Sequence, residues 1–206
     1  MANSTMLEVF TDFVCPWCYL STPRVERIRQ NFDVDVQWVY FPLHPDTPKE
    51  GLLLTDLFAG RNFDLNAAHA RLKSLMDVEG LKFSQQRTHT YNSRLAQELA
   101  KAFDAVRDPL YRAYFEESKN IGNVEVLVDI AQSVGVPEPE ARRVLTERTF
   151  KQAVDADWEK ARRYGITGVP SFVAGNQKLT GAHPYEVLQK LMLAAGAKSR
   201  VPEPYI

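Results

Sequence analysis

Residues 6–40 read MLEVFTDFVCPWCYLSTPRVERIRQNFDVDVQWVY, and this stretch decides the fold. Its first part, Met6 to Phe13, is short, rich in aromatic and β-branched residues and partly alternating, which predicts a strand. Cys15-Pro16-Trp17-Cys18 follows at once, then a helical stretch from Tyr19 to Gln30 with Leu20, Val25 and Ile28 on its inward face. Pro16 suits the first turn of that helix, where the N–H it lacks would be unpaired anyway. Val34 to Phe41 forms a second strand, with apolar residues at 34, 36, 38 and 40. Strand, helix and strand within about 35 residues make a βαβ unit, so the two strands are expected to run parallel.

Outward from this unit the pattern changes twice. Pro42 to Pro48 breaks regular structure, and from about Leu52 to Arg163 the apolar period becomes helical. Leu65, Ala68, Leu72, Leu75 and Met76 share one helical face; Leu95, Leu99, Ala102 and Phe103 share another, as do Val124, Leu127, Val128 and Ala131. Asp64 and Asn123 are expected N-caps, Pro137 opens a further helix, Ala153 to Tyr164 forms another, and Gly135 and Gly165 are expected stops. Strand character returns at Ser171 to Ala174, and Gly175-Asn176 turns the chain into a hairpin with Gln177 to Thr180. Pro184 to Ala195 is a last amphipathic helix. The expected fold is therefore α/β, a thioredoxin-like βαβ … ββα core with a large all-helical insertion. Residues 1–48 and 164–197 make the core, 49–163 the insertion and 198–206 a loosely held tail. The aromatics of the insertion (Phe58, Phe63, Tyr91, Phe103, Tyr111, Tyr114 and Phe115) and Met6, Met76 and Met192 are expected in the core.

Composition narrows the function classes. The 206 residues carry 25 Lys+Arg against 26 Asp+Glu, a net charge of −1, so no basic excess exists to bind nucleic acid. No apolar run is long enough to span a membrane. The start, Met1-Ala2-Asn3-Ser4-Thr5, has no basic n-region, which points to a cytoplasmic protein without a signal peptide.

The chain's two cysteines sit three apart. So short a loop constrains an unfolded chain too little to serve as a staple. A half zinc site and an inert reduced pair are the bland alternatives. His44, His69, His89 and His183 show none of the spacing that a second ligand pair needs. A Cys-x-x-Cys after a strand, opening the helix of a βαβ unit, is a redox signature. Unpaired N–H groups and the helix dipole favour a thiolate there. Cys15 is then the exposed nucleophile, and Cys18, one turn on, the buried resolving thiol. Ionising a typical thiol (pKa about 8.5) at pH 6 takes about 3.4 kcal/mol, while a helix dipole supplies about 0.3 to 2 kcal/mol. No Lys, Arg or His lies between Met1 and Ser21 to make up the rest. His44 is the candidate, because it follows the second strand as Cys15 follows the first, and such ends share one edge of a parallel sheet.

Phe10-Thr11-Asp12-Phe13-Val14-Cys15-Pro16-Trp17-Cys18-Tyr19, with Gly168-Val169-Pro170-Ser171-Phe172, resembles the DsbA-like thioredoxin family, and within it the FrnE-like branch of dithiol oxidoreductases. The resemblance implies a cis peptide at Pro170 beside the cysteines, with the Val169 backbone offered to an extended substrate. It implies protein or small-molecule thiols and disulfides as partners, and no cofactor beyond the cysteine pair. Glutathione is a candidate reductant or co-substrate. Pro16 and Trp17 tune the redox poise and differ from the dipeptides of the best-known members. Many relatives carry a buried acid where this chain has Val9, flanked by Glu8 and Asp12. Kappa-class glutathione transferases and 2-hydroxychromene-2-carboxylate isomerases look similar in layout but place serine at the position of Cys15. A glutathione-dependent isomerase or transferase is thus the alternative function, and a redox-sensing interaction module a third.

Overall fold

A computed structural model describes residues 4–200. Strand β1 (Thr5–Thr11) lies at the centre of the sheet, parallel to β2 (Val34–Tyr40) in a register that runs from Thr5 opposite Val34 to Thr11 opposite Tyr40. Helix α1 (Pro16–Asn31) makes the crossover between them. Two short strands of the main sheet come from the far end of the chain. β5 (Ser171–Ala174) pairs antiparallel with β1, and β6 (Gln177–Thr180) with β5, for a sheet order β2-β1-β5-β6. This is the βαβ … ββα arrangement expected from the periodicity. Both strands of the crossover unit end earlier than expected, at Thr11 and Tyr40.

The sheet is covered on both faces, which is why β1 reads as a nearly continuous apolar run. Leu7, Val9 and Phe172 pack with Val25 and Ile28 of α1 and with Leu188 and Met192 of α9 (Tyr185–Ala194). Phe10 and Val39 on the opposite face meet Ala161 of α8 (Lys151–Arg163). Glu8 shares that face and pairs with Lys160. Met6, expected in the core, is 47% exposed at the start of the strand. Hydropathy does not distinguish the end of a strand from its covered middle.

Between β2 and β5 the chain forms α2 (Leu54–Leu57), α3 (Leu65–Val78), α4 (Arg94–Ala102), α5 (Arg107–Phe115), α6 (Val124–Ser133), α7 (Glu138–Glu147) and α8. Asp64 caps α3 by accepting from the Ala67 N–H at 2.9 Å, and Asn123 caps α6 by accepting from Glu125 at 2.8 Å. The insertion is not wholly helical. β3 (Leu52–Leu53) pairs antiparallel with β4 (His89–Thr90), a ribbon too short to show any period in sequence. One buried cluster runs from Cys15, Cys18 and Tyr19 into Leu72, Leu99, Tyr111, Phe115 and Leu145. Tyr111, Tyr114 and Phe115 lie in the core as expected. Phe63 is 44% exposed and stacks on half-buried Phe58 at 4.3 Å, which corrects the core placement of that pair. The first part of the tail is pinned: the Asp33 N–H donates to the Lys198 carbonyl and the Arg200 N–H to that of Asn31. Residues 201–206 of that tail lie outside the described residues. No helix among the described residues is long and apolar enough to cross a membrane.

Candidate active site

Cys15 is the N-cap of α1, and Pro16 is its first helical residue. The helix therefore opens at the cysteine motif, with Pro16 in its first turn as expected, and its unpaired N–H groups lie at the cysteines. Both cysteines are free thiols. Cys15 is only 3% exposed and Cys18 2%, so the expectation of an exposed Cys15 is corrected. Cys15 lies in the wall of a cleft of about 520 Å³, beside Val14, Trp17, Leu43 and Val169. Access is through that cleft and not from the open surface.

Three neighbours define the pair. Cys18 lies one turn beyond Cys15, and burial, with the neighbouring Cys15 thiol adding to it, pushes its pKa well above that of an ordinary thiol. The Thr11 hydroxyl and the Asp12 backbone also reach Cys18. Opposite, the Cys15 thiol donates to the Val169 carbonyl at 3.4 Å, and the Val169–Pro170 peptide is cis. β1, α1 and the segment before β5 thus meet at one point although they lie about 150 residues apart, as the 154-residue separation of Cys15 and Val169 records. Trp17 and Pro16 line the same cleft.

His44 lines the cleft too. Burial, and then the charge of Arg61, lower its pKa, so its ring is neutral at neutral pH. It brings no positive charge to a thiolate. Its contribution is limited to a neutral N–H.

Asp12, one of the two acids that flank Val9, lies directly beside the cysteine turn. It is fully buried, and its carbonyl accepts from the Cys15 N–H at 3.1 Å. Its carboxyl accepts from the backbone N–H groups of Leu43 at 2.9 Å and Val14 at 3.3 Å, and from the side chains of Ser93 and Gln97. It ties the end of β1 to the loop that carries His44 and to α4. Burial outweighs these donors and raises its pKa from 3.8 to about 6. The folded chain then keeps a proton that the unfolded chain has lost at intermediate pH. Stability falls as pH rises through about 4 to 6, by up to about 3 kcal/mol, and the loss is complete above the folded value. Urea midpoints of wild type and Asp12→Asn should therefore diverge in favour of the variant between pH 4 and 7. A difference independent of pH would show that Asp12 does not titrate in that window.

The same cleft holds residues that no motif marked: His69 on α3, Arg87 in the loop before β4, Thr90 and Tyr114. Arg87 lies in Gln85-Gln86-Arg87-Thr88, a segment without apolar period, and only the fold brings it near Cys15. Among the described residues no three His, Cys, Asp or Glu side chains gather as a metal site.

Comparison with known proteins places these features in a wider set. A family model described as the DSBA-like thioredoxin domain matches residues 6–193. A probable DsbA oxidoreductase from Streptomyces coelicolor is similar in structure, with a TM-score of 0.84 and 30% identity over 98% of this chain and 94% of that one. The uncharacterized Bacillus subtilis protein YwbO is 26% identical over 205 residues, 89% of this chain and 94% of its own. The cytosolic disulfide reductase DsbM of Pseudomonas aeruginosa, in a structure with GSH, shares the fold at a TM-score of 0.61 and 17% identity, covering 92% of this chain and 99% of that one.

Proposed function

The chain belongs to the DSBA-like thioredoxin-domain family, and on that premise we propose that it is a thiol–disulfide oxidoreductase in which Cys15 attacks and Cys18 resolves. The observation that carries this is the pairing of roles within one turn of α1. The Cys18 thiol, held protonated by burial, sits one turn beyond Cys15 at the helix N-terminus, and the Val169 carbonyl faces Cys15 from the other side. A thiolate on Cys15 bonds to one sulfur of a substrate disulfide, and the other sulfur leaves as a thiolate that takes up a proton. Cys18 then loses its proton to solvent and attacks the Cys15 sulfur. The second substrate thiol departs, and the protein is left as the Cys15–Cys18 disulfide. Two thiols, glutathione a candidate for both, return it to the dithiol: the first forms a mixed disulfide with the protein, and the second displaces it and leaves with it as their disulfide. In reverse the same steps oxidise a substrate dithiol. Val169 and Pro170 support an extended substrate strand, Pro16 and Trp17 shape the opening, and His44 offers a neutral donor. We assign the chain to the FrnE-like branch on the resemblance of Phe10 to Tyr19 and Gly168 to Phe172 to that branch.

Glutathione disulfide separates this from the glutathione-dependent alternative. Cys18→Ser should accumulate a mixed disulfide with one glutathione on Cys15, seen by intact mass, while wild type passes on to the internal disulfide. Wild type that stays reduced in excess glutathione disulfide would rule the proposal out.

A further inference from the structure

The cleft beside Cys15 has an uneven chemistry. Much of its wall is apolar, with Leu54, Phe58 and Leu72 among its residues. Its charged and imidazole groups are His44, His69, Arg71 and Arg87, and among the described residues no carboxylate lines it. Arg87 is the unusual member. It is 6% exposed, as deep as Arg24 at 7% and Arg107 at 8%. Arginine is rarely buried so far without an acid. Arg24 pairs with Glu79 at 2.7 Å, and Arg107 with Asp104 at 2.5 Å. Arg87 meets no carboxylate among the described residues: one terminal nitrogen donates to the Tyr114 hydroxyl at 2.8 Å and the other lies 3.5 Å from His69 Nε2. Its Nε–H, also buried, finds no acceptor among the described residues. The rings of Tyr114 and Phe115, at 5.0 and 5.2 Å, hold the guanidinium in place without accepting its in-plane protons. A fixed fork of donors with a vacant charge complement, on the wall of a cleft, suits a carboxylate. Burial and the charge of Arg87 keep His69 neutral, so its ring is free to act as a second hydrogen-bonding partner.

We propose that this cleft selects small thiols and disulfides that carry one carboxylate on an apolar, ring-sized body, with the carboxylate on Arg87 and His69, the body along Leu72 and Phe58, and the sulfur at Cys15. The proposal rests on the dithiol reading above and names the substrate class for it. The reaction is unchanged: such a disulfide takes two electrons from Cys15 and Cys18 and leaves as two thiols.

Two measurements keep the two ideas apart. Benzoate, which has no sulfur, is titrated into Cys15→Ser protein and into Cys15→Ser/Arg87→Gln by calorimetry or competition. Its affinity should fall roughly tenfold with Arg87→Gln, the scale of one lost charge-assisted pair. In the reduced protein, the same substitution should slow reaction with dithiobisnitrobenzoate, a carboxylated aromatic disulfide, by a similar factor. Its rate with uncharged dithiodipyridine should hold. Arg61→Gln removes the same charge from an exposed position, and Arg87→Lys keeps the charge without the fork. Arg61→Gln should leave the ratio of the two rates as in wild type, and Arg87→Lys should fall between wild type and Gln. Equal losses with Arg61→Gln and Arg87→Gln, or equal slowing on both reagents, would overturn the carboxylate site. Failure of Cys15 and Cys18 to interconvert with any disulfide would instead remove the dithiol reading, and benzoate binding would still report on Arg87.

Discussion

Cys15→Ser should abolish disulfide exchange, lowering the rate of insulin-disulfide reduction by about three orders of magnitude or more. The serine hydroxyl is far less acidic than a thiol, and an S–O bond offers no exchangeable intermediate. The substitution only exchanges sulfur for the smaller oxygen at a site that is 3% exposed, and serine caps a helix at least as well as cysteine, so the fold is expected to persist. Cys18→Ser should lose turnover to a similar degree by a different route. Attack by Cys15 still occurs, resolution does not, and the mixed disulfide builds up. Far-ultraviolet circular dichroism checks that both variants are folded, and the insulin assay reads the rate. Activity retained by Cys15→Ser would move the chemistry away from this pair.

The second large effect is on stability. Phe115→Ala should cost about 3 to 5 kcal/mol, the usual range for truncating a fully buried aromatic ring. For a chain of this size that corresponds to a Tm lower by roughly 6 to 20 °C. Phe115 has no exposed surface, and its ring sits 5.1 Å from that of Tyr19 and 4.7 Å from that of Tyr114, with Phe83 and Tyr111 at 6.0 and 6.3 Å. Tyr19 belongs to α1 and the others to the insertion, so Phe115 joins the helix that carries the cysteines to the block that walls the cleft. The void would open on both sides of that junction. Phe115→Leu, which refills most of it, should recover more than half of the loss. Thermal unfolding measures both, and a change below about 1 kcal/mol for Phe115→Ala would show that the ring does not carry the junction.

Much of this protein was legible in its residues, and the legible parts share a cause. Met6 to Tyr40 announces two strands and a helix because period and propensity agree over that length, and Asp64 and Asn123 announce helix starts because a cap acts on its own next turn. The Cys15-to-Cys18 spacing is local in the same sense. Where readings failed, the missing information was long-range. Met6 is as apolar as Met76 but ends a strand, and Phe63 is as apolar as Phe115 but lies at 44% exposure. The pairing of Leu52 and Leu53 with Thr90 and His89 is two residues long and carries no period.

By itself, then, the sequence determined the βαβ unit, the helical character of most of the insertion and the chemistry available at Cys15 and Cys18, because each depends on neighbours a turn or a strand away. Tertiary structure alone decided that Cys15 lines a cleft, that burial lowers the pKa of His44, that Asp12 binds its proton up to about pH 6, and that Arg87 meets no acid among the described residues. Each of these is a matter of solvent removed and charges brought together by packing. Desolvation and Coulomb interaction depend on distance through space, and chain order does not encode them.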